Sequence, residues 1–291
     1  MFPLWMEALG RPEVVLEGID LEIHAAPDRY REVVAHIKGE PLALGGLVTT
    51  HKIDLLAAAS DLFDGLGPYA QATGEVSSMA KENGRLIGRA TDPVAGGLSL
   101  DAILGQGYFG RSGGHLLLLG AGGSAVALTL HLLRKDLPSD RPARVVVVNR
   151  SAPRLARLQH MVEREVGAIE SSIGFDFIQN NDPRRNDDIL AGLPPGSVVV
   201  NATGMGKDTP GSPLTDEAIF PFCGVVWELN YRGELDFMRQ AQAQRVDHNL
   251  TVVDGWDYFV HGWSQVISHV LHVEIGATMF ERLSELAAAV R

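Results

Sequence analysis

The sequence predicts an α/β protein, in which a small N-terminal α/β domain precedes a doubly wound parallel sheet. Its 291 residues are enough for two domains. Residues 116–119 form an unbroken leucine run, which is typical of a strand buried on both faces. A glycine-rich turn, an apolar helix at 124–134 and a second apolar run at 145–148 follow it. This strand–turn–helix–strand order is the unit from which parallel sheets are built.

The N-terminal domain is expected over residues 1–100 and mixes strands with helices. Alternating apolar and polar residues at 16–25 predict a strand with one buried face. Pro27 is typical of a helix start, and Gly39 of its end. The segments predicted after it are a strand at 42–52, a helix at 53–63, a hairpin at 75–92 that turns at 82–84, and a helix at 95–109.

The second domain is expected over residues 101–276. Apolar runs bounded by polar turns predict four more strands, at 175–179, 197–204, 225–231 and 250–255. Two helices are predicted to end the chain, at 257–273 and 277–290. The last is expected to pack back on the N-terminal domain.

Composition narrows the classes of function. The formal net charge of −11 disfavours a general nucleic-acid or anionic-membrane binder. The single cysteine, Cys223, excludes an intramolecular disulfide and a cysteine-rich metal site. No apolar run approaches the ~18 residues of a membrane span, and the N-terminus lacks the layout of a signal peptide. We therefore expect a cytoplasmic protein, either a monomer or a homodimer, with a small-molecule substrate.

Three histidines in the helix at 257–273 allow one interpretation as a metal site. His261, His269 and His272 have spacings that could share a helix face. No carboxylate or cysteine completes the set, so solvated or core histidines are the preferred alternative and no metal is expected.

The turn at 120–123 has the composition of a dinucleotide-binding loop. Gly120 allows the tight turn, Gly122 lets the backbone approach a pyrophosphate, and the small Ala125 lets the helix pack closely on the strand. The helix N-terminus then offers N–H groups and a partial positive charge to the phosphates. A glycine-rich loop without a ligand is the alternative, which the strand–turn–helix–strand setting disfavours. The predicted phosphate-binding residues are Gly120, Ala121, Gly122, Gly123, Ser124 and Ala125.

The end of the second strand indicates which dinucleotide binds. A site for NAD usually has Asp or Glu there, to hold the ribose 2′-hydroxyl. This chain has Asn149, Arg150 and Ser151 instead, with Arg154 one turn later. Two guanidinium groups and a hydroxyl would bind a 2′-phosphate that a carboxylate would repel. NADP is therefore the predicted cofactor, and the alternative is that the arginines only solvate a helix start.

Two stretches of the N-terminal domain carry groups suited to proton transfer. Residues 49–52 lie at a predicted strand end, and Thr91 and Asp92 end the predicted hairpin. Reduction of a carbonyl needs a proton at the oxygen as it becomes an alcohol. A lysine ammonium can donate that proton and stabilise the developing negative charge. Lys52 is the candidate donor and Asp92 would orient it, unless each is only a surface charge.

Taken in chain order, these stretches resemble the shikimate dehydrogenase family over nearly the whole length. The family's VTxPxK resembles residues 47–52, its GxNTD resembles 88–92, and its GAGGAxxA resembles 120–125. Its NRT with a later arginine resembles residues 149–151 and Arg154, its VNATxxGM resembles 200–205 in a form two residues shorter, and its DxxYxP resembles 228–231.

The resemblance implies an NADP-linked oxidoreductase with a Rossmann domain, an N-terminal substrate domain and a cleft between them. It implies Lys52 and Asp92 as the catalytic pair. The further cofactor contacts that it implies are Ala202, Thr203, Gly204, Met205, Leu229 and Gly255. The substrate contacts that it implies are Thr49, Thr50, Ser77, Thr91, Tyr231 and Gln265.

The departures from the family pattern concentrate in the substrate site. The family's SxSP serines, which hold the substrate carboxylate, have no counterpart in this sequence. Thr50 stands where the family has proline, while Ser77 and Ala90 stand where it has asparagines. Gly262 replaces a glutamine, with Gln265 one turn further on. Because buried donors that lose their partners discriminate strongly, the changed set implies a changed ligand.

These observations predict NADP(H)-dependent interconversion of a hydroxyl and a carbonyl on a small polar substrate, a cyclic polyol or a hydroxy acid. Two alternatives stay open: authentic shikimate or quinate dehydrogenase activity, and a non-catalytic NADP-binding or ligand-sensing homologue. Retention of both Lys52 and Asp92 disfavours the second alternative.

Overall fold

The computed structural model describes residues 1–135, 137, 140–168 and 172–291. The chain divides into two compact units. The first contains Met1–Ala95 and Val260–Arg291, and the second contains Gly96–Phe259. None of the helices in the described part of the chain is long and apolar enough to cross a membrane.

The first unit is built on a four-stranded sheet of order β1-β3-β4-β2. The strands β1, β3 and β4 pair antiparallel, whereas β2 pairs parallel with β4. Helix α2 contributes Tyr30 and Val34 to the apolar core, together with Leu55 and Leu56 of α3. The elements are α1 (Phe2–Ala8), α2 (Pro27–Gly39), β1 (Gly45–Leu47), α3 (Lys52–Ala59), a 3₁₀ turn (Ser60–Leu62), β2 (Gly65–Leu66), α4 (Pro68–Thr73), β3 (Ser78–Glu82) and β4 (Arg85–Arg89).

The hairpin predicted at 75–92 is confirmed, because its turn chemistry is local. Asn83 and Gly84 join β3 to β4 with φ of 51° and 77°. Two consecutive positive φ values match the right-handed twist of the flanking strands, and asparagine and glycine tolerate them best.

The strand predicted at 16–25 is wrong, since this stretch has no regular structure. The side chains of Leu16, Ile19 and Ile23 are exposed, at 53%, 52% and 68%, while Leu21 and Ala25 pack partly on the core. A stretch of alternating apolar and polar residues forms a strand only where its backbone can pair with that of a neighbouring strand. In the described chain β1 pairs with β3 on one side, and no ladder joins residues 16–23 to its other edge.

Two helices run from one unit into the other: α5 (Asp92–Leu104) and α11 (Trp256–Leu271). The helix predicted at 95–109 begins earlier, at Asp92, and breaks at Gly105 before α6 (Tyr108–Ser112). Gly105 and Gly107 have φ of 69° and 72°, which an α-helix cannot contain.

The compact units divide at 259/260, before the domain boundary predicted after residue 276. The second half of α11 packs within the first unit, where Trp263 meets Trp5 edge-on at 6.1 Å between ring centroids. The last helix, α12 (Ala277–Ala288), belongs to the same unit. Trp5 Nε1 donates a buried hydrogen bond of 2.8 Å to the Leu283 carbonyl, which joins α1 to α12. The predicted boundary at 100/101 likewise lies a few residues after the observed division at 95/96.

The second unit is a six-stranded parallel sheet of order β10-β9-β8-β5-β6-β7. This is the strand order of a Rossmann fold, and its topological switch point lies between β5 and β8. The predicted α/β fold class is thereby confirmed. The remaining elements are β5 (Leu116–Leu119), α7 (Gly123–Leu133), β6 (Arg144–Asn149), α8 (Ala152–Ala168), β7 (Gly174–Gln179), α9 (Pro183–Ala191), β8 (Val198–Asn201), β9 (Val225–Glu228), α10 (Asp236–Ala243) and β10 (Thr251–Val253).

The central strands are apolar because helices cover both faces of the sheet. Every residue of β5, β8 and β9 is buried. Leu119, the last residue of β5, lies opposite Val148 of β6 and Asn201 of β8. The loops that follow these three strands therefore leave the sheet side by side at its carboxyl edge, where ligands bind in this fold.

Candidate functional site

The turn after β5 is shaped by two glycines that meet different surroundings. Gly120 has φ of 117°, and a Cβ there would lie 2.6 Å from the Ala202 carbonyl oxygen. A Cβ on Gly122 would meet nothing within 4 Å. Gly120 is thus required by the protein's own backbone, whereas Gly122 opens the turn to a ligand. Ala125 is fully buried and lets α7 pack closely on the sheet.

The residues around this turn fit a dinucleotide phosphate. Gly122 caps α7, whose first N–H groups have no carbonyl partner within the helix. At the end of β6, Arg150 and Arg154 are exposed, and within the described residues neither guanidinium has a carboxylate partner. Asn149 Nδ2 donates to the Ser151 carbonyl at 3.3 Å, which shapes the loop between them. The Ser124 hydroxyl accepts a hydrogen bond from Tyr258 at 3.3 Å.

The loop that follows β8 carries the next group of predicted cofactor residues. Ala202, Thr203 and Met205 are half-buried and Gly204 is exposed. Thr203 donates to Asn201 Oδ1 through both its N–H, at 3.1 Å, and its hydroxyl, at 2.6 Å. The Thr203 oxygen in turn accepts from the Met205 N–H at 3.2 Å. The loop is therefore held by side chains as well as by its backbone.

Glu228, at the end of β9, is a residue that the sequence-based prediction did not place in the site. It is fully buried and its carboxylate accepts from Asn201 Nδ2 and Asn230 Nδ2, each at 2.6 Å, and from the Asn230 N–H at 2.8 Å. Burial raises the pKa of this carboxyl to about 7, and the three hydrogen bonds and the nearby Lys207 oppose that rise. The sequence signal was a carboxylate that closes an otherwise apolar strand.

The segments after β9 and β10 place three further predicted residues. Leu229 is buried, and Gly255 packs so closely on it that a Cβ at 255 would lie 2.0 Å from the Leu229 carbonyl oxygen. The half-buried ring of Tyr231 lies 4.4 Å from that of Phe259 between centroids.

In the first unit, the structure brings Lys52 and Asp92 together. Lys52 begins α3 and Asp92 begins α5, and the Lys52 ammonium donates a hydrogen bond to Asp92 Oδ2. The two side chains are 23% and 15% exposed, so both reach solvent while most of the pair is enclosed. An aspartate at a helix N-terminus is also favoured by the helix dipole. This pair can hold a proton donor at a defined position.

Ser77 and Thr91 form a buried hydrogen-bonded pair, and Thr91 directly precedes Asp92. The Ser77 hydroxyl lies 2.9 Å from that of Thr91 and accepts from the Thr91 N–H at 2.7 Å. Ser77 is 1% exposed and Thr91 6%. This pair therefore fixes the backbone directly before Asp92. The two hydroxyls are hydrogen-bonded to each other within the protein.

The other predicted substrate contacts of this unit are distant in sequence from Ser77 and Thr91. Thr49 and Thr50 are exposed after β1, and Gln265 is half-buried on α11. At the residue after Thr50, His51 Nδ1 lies 3.1 Å from the Tyr30 hydroxyl. Tyr30 is buried, so this contact holds the start of α3.

The three histidines considered for a metal lie in different local environments. His261 stacks on Phe280 with ring centroids 3.7 Å apart, and burial lowers its pKa to about 4. His269 Nδ1 lies 2.7 Å from the Ser78 hydroxyl. His272 Nε2 lies 2.9 Å from the Lys81 carbonyl.

Comparisons with known proteins agree with this geometry. No family model matches the chain. The chain is 30% identical to the NADP-dependent shikimate dehydrogenase of Symbiobacterium thermophilum over 238 residues, which cover 81% of this chain and 72% of the relative. It is also 30% identical to the enzyme of that name from Methylobacterium radiotolerans, with coverage of 85% and 82%.

Solved structures show the same relationship. Shikimate 5-dehydrogenase from Thermus thermophilus, solved with NADP(H) and shikimate, is 25% identical, covers 98% of this chain and 92% of its own, and has a TM-score of 0.63. Quinate dehydrogenase from Corynebacterium glutamicum, solved with NAD, shares the fold with a TM-score of 0.73 at 20% identity, over 99% of this chain and 92% of its own. From its fold, its motifs and these relatives, the chain belongs to the shikimate dehydrogenase family.

Proposed function

We propose that this protein is an NADP(H)-dependent dehydrogenase that interconverts a hydroxyl and a carbonyl on a small polar substrate. The observation that carries the proposal is the Lys52–Asp92 ion pair, which links two helix starts forty residues apart in sequence. A pair of surface charges has no need for such enclosure. Family membership and the names of the curated relatives support the same reaction class.

In the reductive direction, the Lys52 ammonium donates a proton to the carbonyl oxygen as that oxygen becomes a hydroxyl. NADPH, when bound, supplies the hydride that reduces the carbon. The Asp92 carboxylate holds the ammonium in place through the hydrogen bond to Oδ2. In the oxidative direction, the lysine amine takes the hydroxyl proton back. A positioned general acid or base contributes about 10²–10⁴-fold to such a step.

The cofactor preference in this proposal comes from the end of β6. Arg150 and Arg154 would bind the ribose 2′-phosphate, with Asn149 and Ser151 beside them. No carboxylate stands at this position in the sequence, so nothing there repels the extra phosphate. The open space over Gly122 and the N-terminus of α7 would take the pyrophosphate.

For the substrate, we propose a cyclic polyol or hydroxy acid other than shikimate. Ser77 and Ala90 stand where the family has asparagines. The Ser77 hydroxyl is engaged by Thr91, and Ala90 is 2% exposed and has no polar side-chain group. Two amide groups that could bind substrate hydroxyls are thus replaced by groups that cannot.

Authentic shikimate or quinate dehydrogenase activity is the second candidate. It is favoured by the curated relatives, which carry that name at about the same identity across most of the chain. We also propose that the protein is cytoplasmic and is a monomer or homodimer. Light scattering during size-exclusion chromatography measures the number of subunits.

A substrate panel with NADP distinguishes the candidates. Shikimate, quinate, other cyclic polyols and hydroxy acids are assayed by the absorbance of the reduced nicotinamide, with wild type and Lys52→Met. Lys38→Met is the matched control, because Lys38 forms an ion pair with Asp64 at 3.0 Å in the same unit.

We expect turnover of a non-shikimate substrate that falls about 10²–10⁴-fold in Lys52→Met and stays near wild type in the control. Efficient turnover of shikimate or quinate establishes the second candidate. NADP binding without turnover of any panel member would contradict the enzymatic proposal.

A further inference from the structure

We propose that Glu228 is a positioning residue, which orients the loop at residues 203–205 by setting the direction of the hydrogen bonds that run from Asn201 through Thr203 to Met205. The inference rests on the proposed function, since this loop is assigned to the cofactor. Glu228 is 0% exposed and so acts only through its neighbours.

The carboxylate is the fixed end of the chain, because above its pKa of about 7 it is ionised and can only accept hydrogen bonds. Its Oε1 accepts from both the N–H and the side-chain amide of Asn230, at 2.8 Å and 2.6 Å. Its Oε2 accepts from Asn201 Nδ2 at 2.6 Å. Every contact of the buried group is therefore one in which a neighbour donates.

This requirement determines the orientation of the Asn201 amide. Since its Nδ2 must face Glu228, its Oδ1 must face the loop, where it accepts from the Thr203 N–H and hydroxyl. The hydroxyl proton of Thr203 is then committed to Asn201. Its oxygen is left to accept from the Met205 N–H at 3.2 Å.

Asn230 holds the loop from its other side. With one Nδ2 hydrogen bond to Glu228, the same nitrogen lies 3.1 Å from each of the Thr203 and Met205 carbonyl oxygens. Asn201 thus binds the loop at the Thr203 N–H and hydroxyl, Asn230 binds it at the Thr203 and Met205 carbonyls, and Glu228 orients both asparagines.

The position of this loop also bears on the phosphate-binding turn. The backbone at Ala202 and Thr203 lies so close to Gly120 that a Cβ there would be 2.6 Å from the Ala202 oxygen and 3.1 Å from the Thr203 nitrogen. A displaced loop would therefore disturb two of the segments assigned to NADP, the loop itself and the turn at Gly120.

Exchanging the carboxylate at position 228 and the amide at position 201 tests the direction of these hydrogen bonds. In Glu228→Gln, the new amide can face Asn230 with its oxygen, but its NH₂ group then opposes Asn201 Nδ2. In the double variant Glu228→Gln, Asn201→Asp, the glutamine NH₂ donates to one carboxylate oxygen, and the other still accepts from Thr203. The buried charge is kept and the bond between positions 201 and 228 is reversed, while the long 3.5 Å hydrogen bond from Asn201 Nδ2 to the Met205 carbonyl is lost.

Two measurements are made at pH 8, above the pKa of Glu228, on wild type, the single variants Glu228→Gln and Asn201→Asp, and the double variant. Fluorescence titration gives the Kd for NADP, and hydrogen exchange of the unliganded protein follows the amides of Thr203 and Met205. The matched control is Asp187→Asn, since Asp187 accepts from the Thr215 N–H at 3.1 Å and from its hydroxyl at 2.5 Å elsewhere in the same unit.

We expect each single variant to weaken NADP binding by about 10- to 100-fold, the scale of one to two hydrogen bonds to a charged group. Exchange at both amides should accelerate, and the double variant should recover most of both properties. The control should lose stability while Kd and both amide exchange rates stay near wild type.

Several results would overturn the inference. One is a double variant that binds NADP no better than the worse single variant, and another is wild-type exchange at both amides in Glu228→Gln. Equal losses of affinity in Asp187→Asn would show a general effect of stability instead. If wild type itself failed to bind NADP, the proposed function would fail, whereas the exchange data would still decide the role of Glu228.

Discussion

Replacing Gly120 or Gly122 by alanine, in the turn after β5, should affect stability in one case and NADP binding in the other. In Gly120→Ala the methyl group would lie 2.6 Å from the Ala202 carbonyl oxygen and 2.7 Å from its carbon, both backbone atoms. The residue must also keep φ near 117°. Strain at such a φ costs about 1–3 kcal/mol, and overpacking costs about 1–3 kcal/mol. The expected loss of unfolding free energy is therefore about 2–6 kcal/mol.

Gly122→Ala is the matched comparison. Its φ is −85° and its added methyl group would meet nothing within 4 Å, so unfolding free energy should change by no more than about 0.5 kcal/mol. The methyl group would instead occupy the space proposed for the pyrophosphate. We expect NADP binding to weaken by roughly tenfold, which is about 1.4 kcal/mol.

Urea unfolding and NADP titration of both variants separate the two roles. The reasoning predicts a stability defect in Gly120→Ala and a binding defect without a stability defect in Gly122→Ala. An unchanged unfolding midpoint for Gly120→Ala would show that the turn and the Ala202 backbone do not approach as described. Wild-type NADP affinity in Gly122→Ala would place the pyrophosphate elsewhere.

Three further predictions concern single charges. Arg150→Asp should lower NADP affinity by about 1–3 kcal/mol while leaving NAD affinity less affected, and equal affinities of wild type for NAD and NADP would contradict the proposed role of Arg150. Lys52→Ala should keep NADP binding and slow turnover by about 10²–10⁴-fold; combined with Asp92→Asn it should lose less than the two single effects multiplied, since paired groups are non-additive. Burial raises the pKa of Glu228 to about 7 from its ordinary 4.5, so its contribution to stability is fully present below pH 4.5 and is lost as the pH rises through 7. Relative to Glu228→Gln, wild type should lose about 2–3 kcal/mol of unfolding free energy between pH 5 and 8, and parallel pH profiles for the two proteins would show that Glu228 titrates normally.

The elements that local chemistry controls were predictable from the sequence. The hairpin at Asn83 and Gly84 depends on two positive φ values that neighbouring residues suffice to specify. The apolar strands β5 and β6 and the turn at Gly120 likewise depend on a short stretch of chain. These features identify the fold class and the family before any distance is known.

Pairing between distant segments could not be read from the sequence. The alternation at 16–25 satisfies a strand pattern, but no neighbouring strand in the described chain pairs with it. Ser77 was expected to contact substrate, and its hydroxyl is engaged by Thr91 because the hairpin brings the two together.

The sequence by itself thus determined the order of the strands β5 to β10, the glycine turn after β5 and the residue types at the end of β6, because each follows from a few adjacent residues. Only the tertiary structure joined Lys52 to Asp92 and enclosed Glu228 between Asn201 and Asn230. The physical reason is that a hydrogen bond between distant residues forms where the packed core places its donor and acceptor within reach, and no local pattern records that distance.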